Sequence, residues 1–402
     1  MRRSTLIARF ALVATLQAFG VTAAAQQVRV QDGVRVVSYG QASRIPDWRV
    51  SQRPRVSLGG ADGEGPTEFA AIVGVVRLST GEFVVADAST SELRLFSAGG
   101  AHVRTFGRRG GGPGEFDGLT ALLRSGDTLV AIDRGQQRIQ LFDAAGKLLR
   151  TNGSPVFPGA SMPFWAGITR DGSGAMLALE PLRDTTSSRV IATGALGVQD
   201  PRSSTVRRIA SFNAYEAAKT GGRHMPVYLG AVFRQSVLAD RICLGWAAAW
   251  EITCYSPTGS AISRTIRATT PAPVSEADRA AFREGFYRAN RTMPREKLEA
   301  VARAFPFAER RSAFGRFVAG ANGELWVGPF VISEDVVLGR RGAPSPNEAT
   351  RWSVIGRDGR IAGEVTLPAR FALLDAGQDY VAGVLRDQDD VEAAVVYSLT
   401  RR

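Results

Sequence analysis

The sequence predicts an all-β fold, a six-bladed β-propeller of four-stranded antiparallel blades with a small helical insertion. Three observations carry this. Two stretches superimpose at a spacing of 46 residues, and four weaker copies follow them. The last copy is one strand short, while a spare strand stands ahead of the first.

The repeat comes first. Gly81-Glu-Phe-Val-Val-Ala-Asp87 with Glu92-Leu-Arg-Leu-Phe96 lies over Gly126-Asp-Thr-Leu-Val-Ala-Ile-Asp133 with Arg138-Ile-Gln-Leu-Phe142. Asp87 and Asp133, Phe96 and Phe142, Gly100 and Gly146, and Gly107 and Gly153 are each 46 apart. The loops leading in also match, as Gly63-Glu-Gly-Pro-Thr-Glu-Phe69 and Gly111-Gly-Pro-Gly-Glu-Phe116. Each unit holds several short apolar or β-branched runs between Gly, Asp and Ser turns, the content of one propeller blade. Weaker copies run from Phe164 to Arg208, from Tyr228 to Arg267, and through Asn322–Val327, Trp352–Gly359 and Val365–Leu367. The last, Tyr380–Val384 and Val391–Leu399, has room for three strands only. The spare strand Trp48–Leu58 is expected to complete it, closing the ring and removing an open sheet edge.

One patch breaks the β pattern. Ser275-x-x-Asp278 has the form of a helix N-cap with an acid in the first turn. Phe282 and Phe286 lie one helical turn apart, and Leu298, Val301, Ala302 and Phe305 form an apolar stripe. Two antiparallel helices within an insert at 275–312 are the expectation, as a decoration on a blade edge or as a lid over one face.

At the N-terminus, Met1-Arg2-Arg3 precedes an apolar run from Phe10, and Ala23-Ala24-Ala25 supplies the small residues that a signal peptidase reads. The expected organisation is a signal peptide at 1–25 cleaved after Ala25, an N-terminal segment at 26–47, and the propeller at 48–402. Such a protein is periplasmic or secreted. No later run of apolar residues is long enough for a membrane span. The net charge of +12 falls by three once Arg2, Arg3 and Arg9 leave with the leader. Of the 50 basic residues only Lys147, Lys219 and Lys297 are lysines, and the arginines are scattered. A nucleic-acid protein would concentrate them on a stripe with interleaved aromatics, so no nucleic-acid partner is expected.

Cys243 and Cys254 are the two cysteines. They flank a hairpin whose turn, centred between Ala248 and Ala249, sets 244 opposite 253 and 243 opposite 254. Directly opposed residues come within disulfide reach, and an exported protein permits the bond. A disulfide is expected, with two buried reduced thiols as the other reading.

The segments Gly81–Asp87 with Glu92–Phe96, and Val130–Asp133 with Arg138–Phe142, resemble NHL repeats. The Gly-Pro-x-Glu-Phe linkers resemble those of secreted bacterial six-bladed propeller proteins related to that family. The likeness is strongest over residues 63–153. It implies a six-bladed propeller and, in most relatives, ligand or protein binding without a defined reaction.

In a four-stranded blade, the turn between the second and third strands shares a face with the connection between blades. Glu68, Asp87, Glu115, Asp133, Glu180 and Trp246 fall on that loop-rich face, and Arg108 and Arg109 stand beside it. Glu68, Asp87 and their neighbours would suit an oxygen-only calcium site, whereas an Asp at this place also caps its own turn. No cofactor is required. The glycine-rich run Gly107–Gly114 leads into a strand, so it lacks the helix N-terminus that a phosphate loop needs. With His102 and His224 as the only histidines, a three-histidine zinc site is impossible. His102 is expected on the opposite face, and His224 leads towards the channel. No Gly-x-Ser-x-Gly elbow announces a nucleophile. The expected function is therefore a non-catalytic exported propeller that binds a protein, peptide or glycan on its loop-rich face. The alternative is a metal-dependent lactonase or lyase working in the central channel, which some six-bladed relatives imply.

Overall fold

Short apolar runs punctuated by Gly and Asp turns give antiparallel meanders. The computed structural model describes them over residues 26–153, 156–159, 161–201, 206–332 and 346–401. The expected leader at 1–25 lies outside the described residues. The first sheet holds Ile72–Arg77, Phe83–Asp87, Glu92–Phe96 and His102–Phe106. The second holds Leu119–Ser125, Thr128–Asp133, Arg138–Phe142 and Leu148–Asn152. The third holds Ser161–Ile168, Gly174–Leu179, Arg189–Gln199, Val206–Thr220 and Arg223–Pro226.

The fourth sheet runs Phe233–Val237, Ile242–Trp246, Glu251–Tyr255 and Ala261–Arg267, and gains two strands from the N-terminal segment. Val34–Tyr39 pairs in parallel with Ala261–Arg267, and Gln26–Gln31 folds back on it as a hairpin. In the same sheet Cys243 opposes Cys254 and Leu244 opposes Thr253, and Cys243 and Cys254 are joined by a disulfide.

The nine-stranded last sheet joins two groups through the N-terminal region. One group is Phe317–Ala319, Leu325–Val327, Thr350–Ile355 and Ile361–Leu367; the other is Phe371–Ala376, Tyr380–Arg386 and Glu392–Thr400. The stretch 48–58, expected as one strand, forms two. Asp47–Val50 pairs in parallel with Ile361–Leu367 and meets the C-terminal strand at Leu399↔Val50. Val56–Gly59 then pairs antiparallel with Ala393–Val396 and supplies the missing strand. Pro54 lies between the two and has no N–H to give to a ladder, which accounts for the break. Trp48 lies so close to Gly363 that a Cβ there would sit 2.3 Å from its ring.

Apolar clusters form between neighbouring sheets. Val84 and Leu93 of the first pack with Leu129 and Phe142 of the second, and Ile139 of the second with Trp165 and Met176 of the third. Leu196 of the third packs with Leu244 of the fourth, and Ile252 of the fourth with Phe317 of the last. Val396 and Ala382 of the last sheet then pack on Val85 and Phe96 of the first. Each sheet alone leaves both apolar faces open, and this closed succession shields them all. The fold is a β-propeller.

Two helices, α1 (Glu276–Ala289) and α2 (Arg295–Arg303), form in the expected insert. Of its expected apolar stripe, Leu298 and Ala302 are buried, while Val301 is exposed and Phe305 lies beyond the second helix. Ser275 Oγ accepts from the N–H of Asp278 at 3.1 Å, and Asp278 accepts the N–H of Ser275 at 2.8 Å. Phe282 and Phe305 pack on Tyr228 with ring centroids 4.6 and 4.9 Å away. Among the described residues no helix is long and apolar enough to cross a membrane.

Candidate functional site

The repeat acids do local work. Asp87 is fully buried and accepts the N–H of Ser89 at 2.9 Å and those of Ala71 and Ala70 at 3.2 and 3.3 Å. Asp133, also fully buried, takes the equivalent N–H of Gly118 at 2.8 Å and the side chain of Arg138 at 3.3 Å. Each carboxylate thus fastens an incoming linker to the turn it caps. The linkers are clamped a second time. Arg94 donates to the carbonyl of Glu68 at 2.6 Å, and Gln140 to that of Glu115 at 2.7 Å.

The other nominated side chains are spread over the same loops. Glu68 is exposed. Arg108, 79% exposed, donates to Glu115 at 2.8 Å. The N–H of Gly112 and the Arg108 guanidinium hold the Glu115 carboxyl below its ordinary value. Arg109 is exposed, and its backbone bridges to Phe116. Glu180 accepts from Thr193 at 2.6 Å and Arg208 at 2.5 Å, which lower it in that order. Trp246 ends its strand opposite Phe233. Of these eight only Arg108 and Glu115 bond one another through side chains. His102 reaches Thr105, and His224 bonds the carbonyl of Ser187. Among the described residues no group of three or more His, Cys, Asp or Glu side chains is placed to hold a metal ion.

A different set lines the axis. The innermost strands of all the sheets surround a cavity of about 670 Å³. Its lining includes Thr120 and Arg124, Arg134, Phe164 and Trp165, Phe233 to Val237, Arg316 to Ala319, and Asp375. None of the eight nominated residues is in that lining. Among the described residues the cavity therefore shows four arginines and one carboxylate.

The two ends of the cavity differ. An innermost strand starts on the face that carries the sheet-to-sheet connections and runs away from it. Arg124 and Asp375 come late in their strands, at the far end. There Asp375 accepts from Tyr380 Oη at 2.8 Å, from the N–H groups of Arg77 and Ala376 at 2.9 Å each, and from Arg124 at 3.4 Å. Burial pushes its carboxyl up, and Arg124 offsets that only in part.

Arg234 and Arg316 come at the start of their strands, on the connection-bearing face. Arg234 donates through Nε to the carbonyl of Gly315 at 3.1 Å and through Nη1 to that of Phe233 at 3.0 Å. Residue 315 must be glycine for the chain to pass, because a Cβ would stand 2.2 Å from the carbonyl oxygen of Pro329. Arg316 follows immediately, and its Nη1 is buried without a hydrogen-bond partner. Burial pushes both guanidinium groups down to about 10, so both stay charged at neutral pH.

Sequence reasoning missed these arginines. The one signal was position, because both stand where an innermost strand begins. No family model matches the sequence, and no curated protein sequence matches it. Solved structures are similar in shape at low identity. One is a Bacteroides fragilis protein named as exported, 12% identical, with 91% of this chain and 99% of that one covered and a TM-score of 0.47. Another is a member of the DUF4221 family from Bacteroides vulgatus, 8% identical, covering 89% and 100%, with a TM-score of 0.49. A third is the calcium-binding protein regucalcin of Agrobacterium tumefaciens, 9% identical, covering 89% and 98%, with a TM-score of 0.38.

Proposed function

We propose that the protein is an exported six-bladed propeller that binds a ligand at its connection-bearing face and the adjoining channel, without transforming it. The blade count follows from taking each group of the nine-stranded sheet as one blade. The ligand class remains the one expected from the sequence, a protein, peptide or glycan.

The carrying observation is the composition of the channel wall. A metal-dependent lactonase or lyase would need acids or histidines converging on one axial point. Among the described residues the wall offers a single carboxylate, Asp375, whose oxygens already serve four donors. That donor set does not fit a catalytic metal. What it does offer is cationic and aromatic surface around a space large enough for a small ligand or the end of a larger one.

Two measurements test the reading. Calorimetry with calcium and zinc on chelator-treated protein should show no saturable uptake, and lactone hydrolysis should stay at the background rate. A glycan and peptide array should return at least one ligand that binds. Tight metal uptake accompanied by lactone hydrolysis would replace this reading with the enzymatic one.

A further inference from the structure

Several partly buried arginines of this protein are matched to carboxylates. Arg267 meets Glu364 at 2.6 Å, Arg386 meets Glu392 at 2.7 Å, and Arg311 meets Asp278 at 2.6 Å. Arg124 meets Asp375 within the channel itself. Arg234 and Arg316 break the pattern. Among the described residues no carboxylate lies within ion-pair distance of either. Arg234 holds two neutral carbonyls, and Arg316 Nη1 holds nothing.

Two uncompensated guanidinium groups beside one cavity are costly. Removing a charge from water without a partner is unfavourable, and like charges nearby add to the cost. An anion seated between the groups would relieve both penalties at once. The geometry brings the pair together, since Arg234 bonds the carbonyl of the residue directly before Arg316. Both residues also line a second, small cavity of about 50 Å³ beside Trp352 and Phe371. Gln235, on the same strand as Arg234, lines the main cavity with a buried and unpartnered Oε1. That oxygen would accept from a hydroxyl close to the anion.

We propose that Arg234 and Arg316 form a subsite for the oxyanion head, a carboxylate or phosphate, of a small hydroxylated ligand or ligand terminus entering the channel, with Gln235 accepting one of its hydroxyls. This rests on the reading of the channel as a ligand site and names the chemistry of what it takes. The planar fork of each arginine matches two oxyanion oxygens. Phe164 and Phe233, in the same lining, supply apolar surface for a sugar ring.

Calorimetry at low salt with inorganic phosphate, glucuronate and neutral glucose tests the proposal. At least one of the two anions binds at one site per chain, and glucose does not. Binding by phosphate alone assigns a phosphoryl head, and binding by glucuronate alone assigns a carboxylate. Arg316→Gln and Arg234→Gln each weaken binding by roughly 10- to 100-fold. Arg316→Lys, which keeps the charge without the fork, weakens it less. Arg104→Gln, remote from the cavity, changes nothing. Because a buried arginine can also support the fold, phenylglyoxal labelling of the unaltered protein is the second measurement. The bound anion slows modification of Arg234 and Arg316.

The proposal is overturned if neither anion binds, if both glutamine variants bind as the parent does, or if no protection appears. An array ligand that binds the same face while both anions fail removes the subsite and leaves the binding reading intact. Metal uptake with lactone hydrolysis removes the binding reading and leaves anion affinity a separate matter.

Discussion

The carboxylate of Glu392 accepts the backbone N–H of Ile72 at 2.6 Å, so the C-terminal strand is fastened to the first strand of the repeat. Its other oxygen takes Nη2 of Arg386 at 2.7 Å. Removing the carboxylate leaves a buried N–H without an acceptor, a loss of about 2–3 kcal/mol. Glu392→Ala should therefore lower the melting temperature by roughly 3 °C for a chain of this size. Glu392→Gln, which keeps one acceptor oxygen, should lose less. An unchanged melting temperature in the alanine variant would show that the ring does not depend on this fastening.

The residues that make the repeat were legible because the work they do is local. Asp87 and Asp133 cap turns built from their own unit, and Phe96 and Phe142 pack on the phenylalanines of their own linkers, Phe69 and Phe116. The Cys243–Cys254 register and the Ser275–Asp278 cap were legible for the same reason. The channel was not. Arg234 and Arg316 are two arginines among many, and what marks them is burial at the cavity with no carboxylate beside the guanidinium, which only the closed ring reveals. The N-terminal hairpin was missed because its partner, Ala261–Arg267, lies more than 200 residues away.

Across the channel, Asp375 and Arg124 form the one matched pair in the cavity wall among the described residues. Asp375→Asn takes the partner from a largely buried guanidinium, and should cost about 3 kcal/mol, the low end for breaking such a pair. Arg124→Met acts in the other direction. Burial already raises the Asp375 carboxyl, and without the cation it rises further. A folded-state value above the unfolded one gives stability that is present below the ordinary value of 3.8 and lost as pH rises through the folded value. The methionine variant should lose stability relative to the parent between acid and neutral pH, read from thermal melts in a pH series. Parallel melting curves would show that Asp375 stays ionised without its partner.

Acid should unfold the protein through other carboxylates. Burial alone would raise Glu364, yet Arg351 at 2.7 Å and Arg267 at 2.6 Å outweigh it and hold the group below its ordinary 4.5. Asp278 is buried too, and the Ser275 N–H and Arg311 hold it below 3.8. Depressed values give stability that is present above the unfolded value and lost as pH falls through the folded one. Melting temperature should therefore fall steadily below about pH 4.5. Glu364→Gln should flatten the upper part of that fall. A fall equally steep in that variant would assign the acid sensitivity elsewhere.

The disulfide makes a prediction about kinetics as well as stability. Cys243 and Cys254 are separated by 11 residues, a short loop whose closure is worth about 2–3 kcal/mol on chain-entropy grounds. Replacing both with alanine should lower the melting temperature by roughly 3 °C. Both sulfur-bearing residues are buried, at 0% and 3% exposure, in the cluster between the fourth and last sheets. A reductant can reach them only when that cluster opens. Dithiothreitol should leave the bond intact for as long as the protein stays folded and reduce it promptly once denaturant is added, as read by thiol alkylation and mass spectrometry. Fast reduction without denaturant would mean that the hairpin opens on its own, independently of the ring, and that the cluster around Trp250 and Phe314 does not hold it closed.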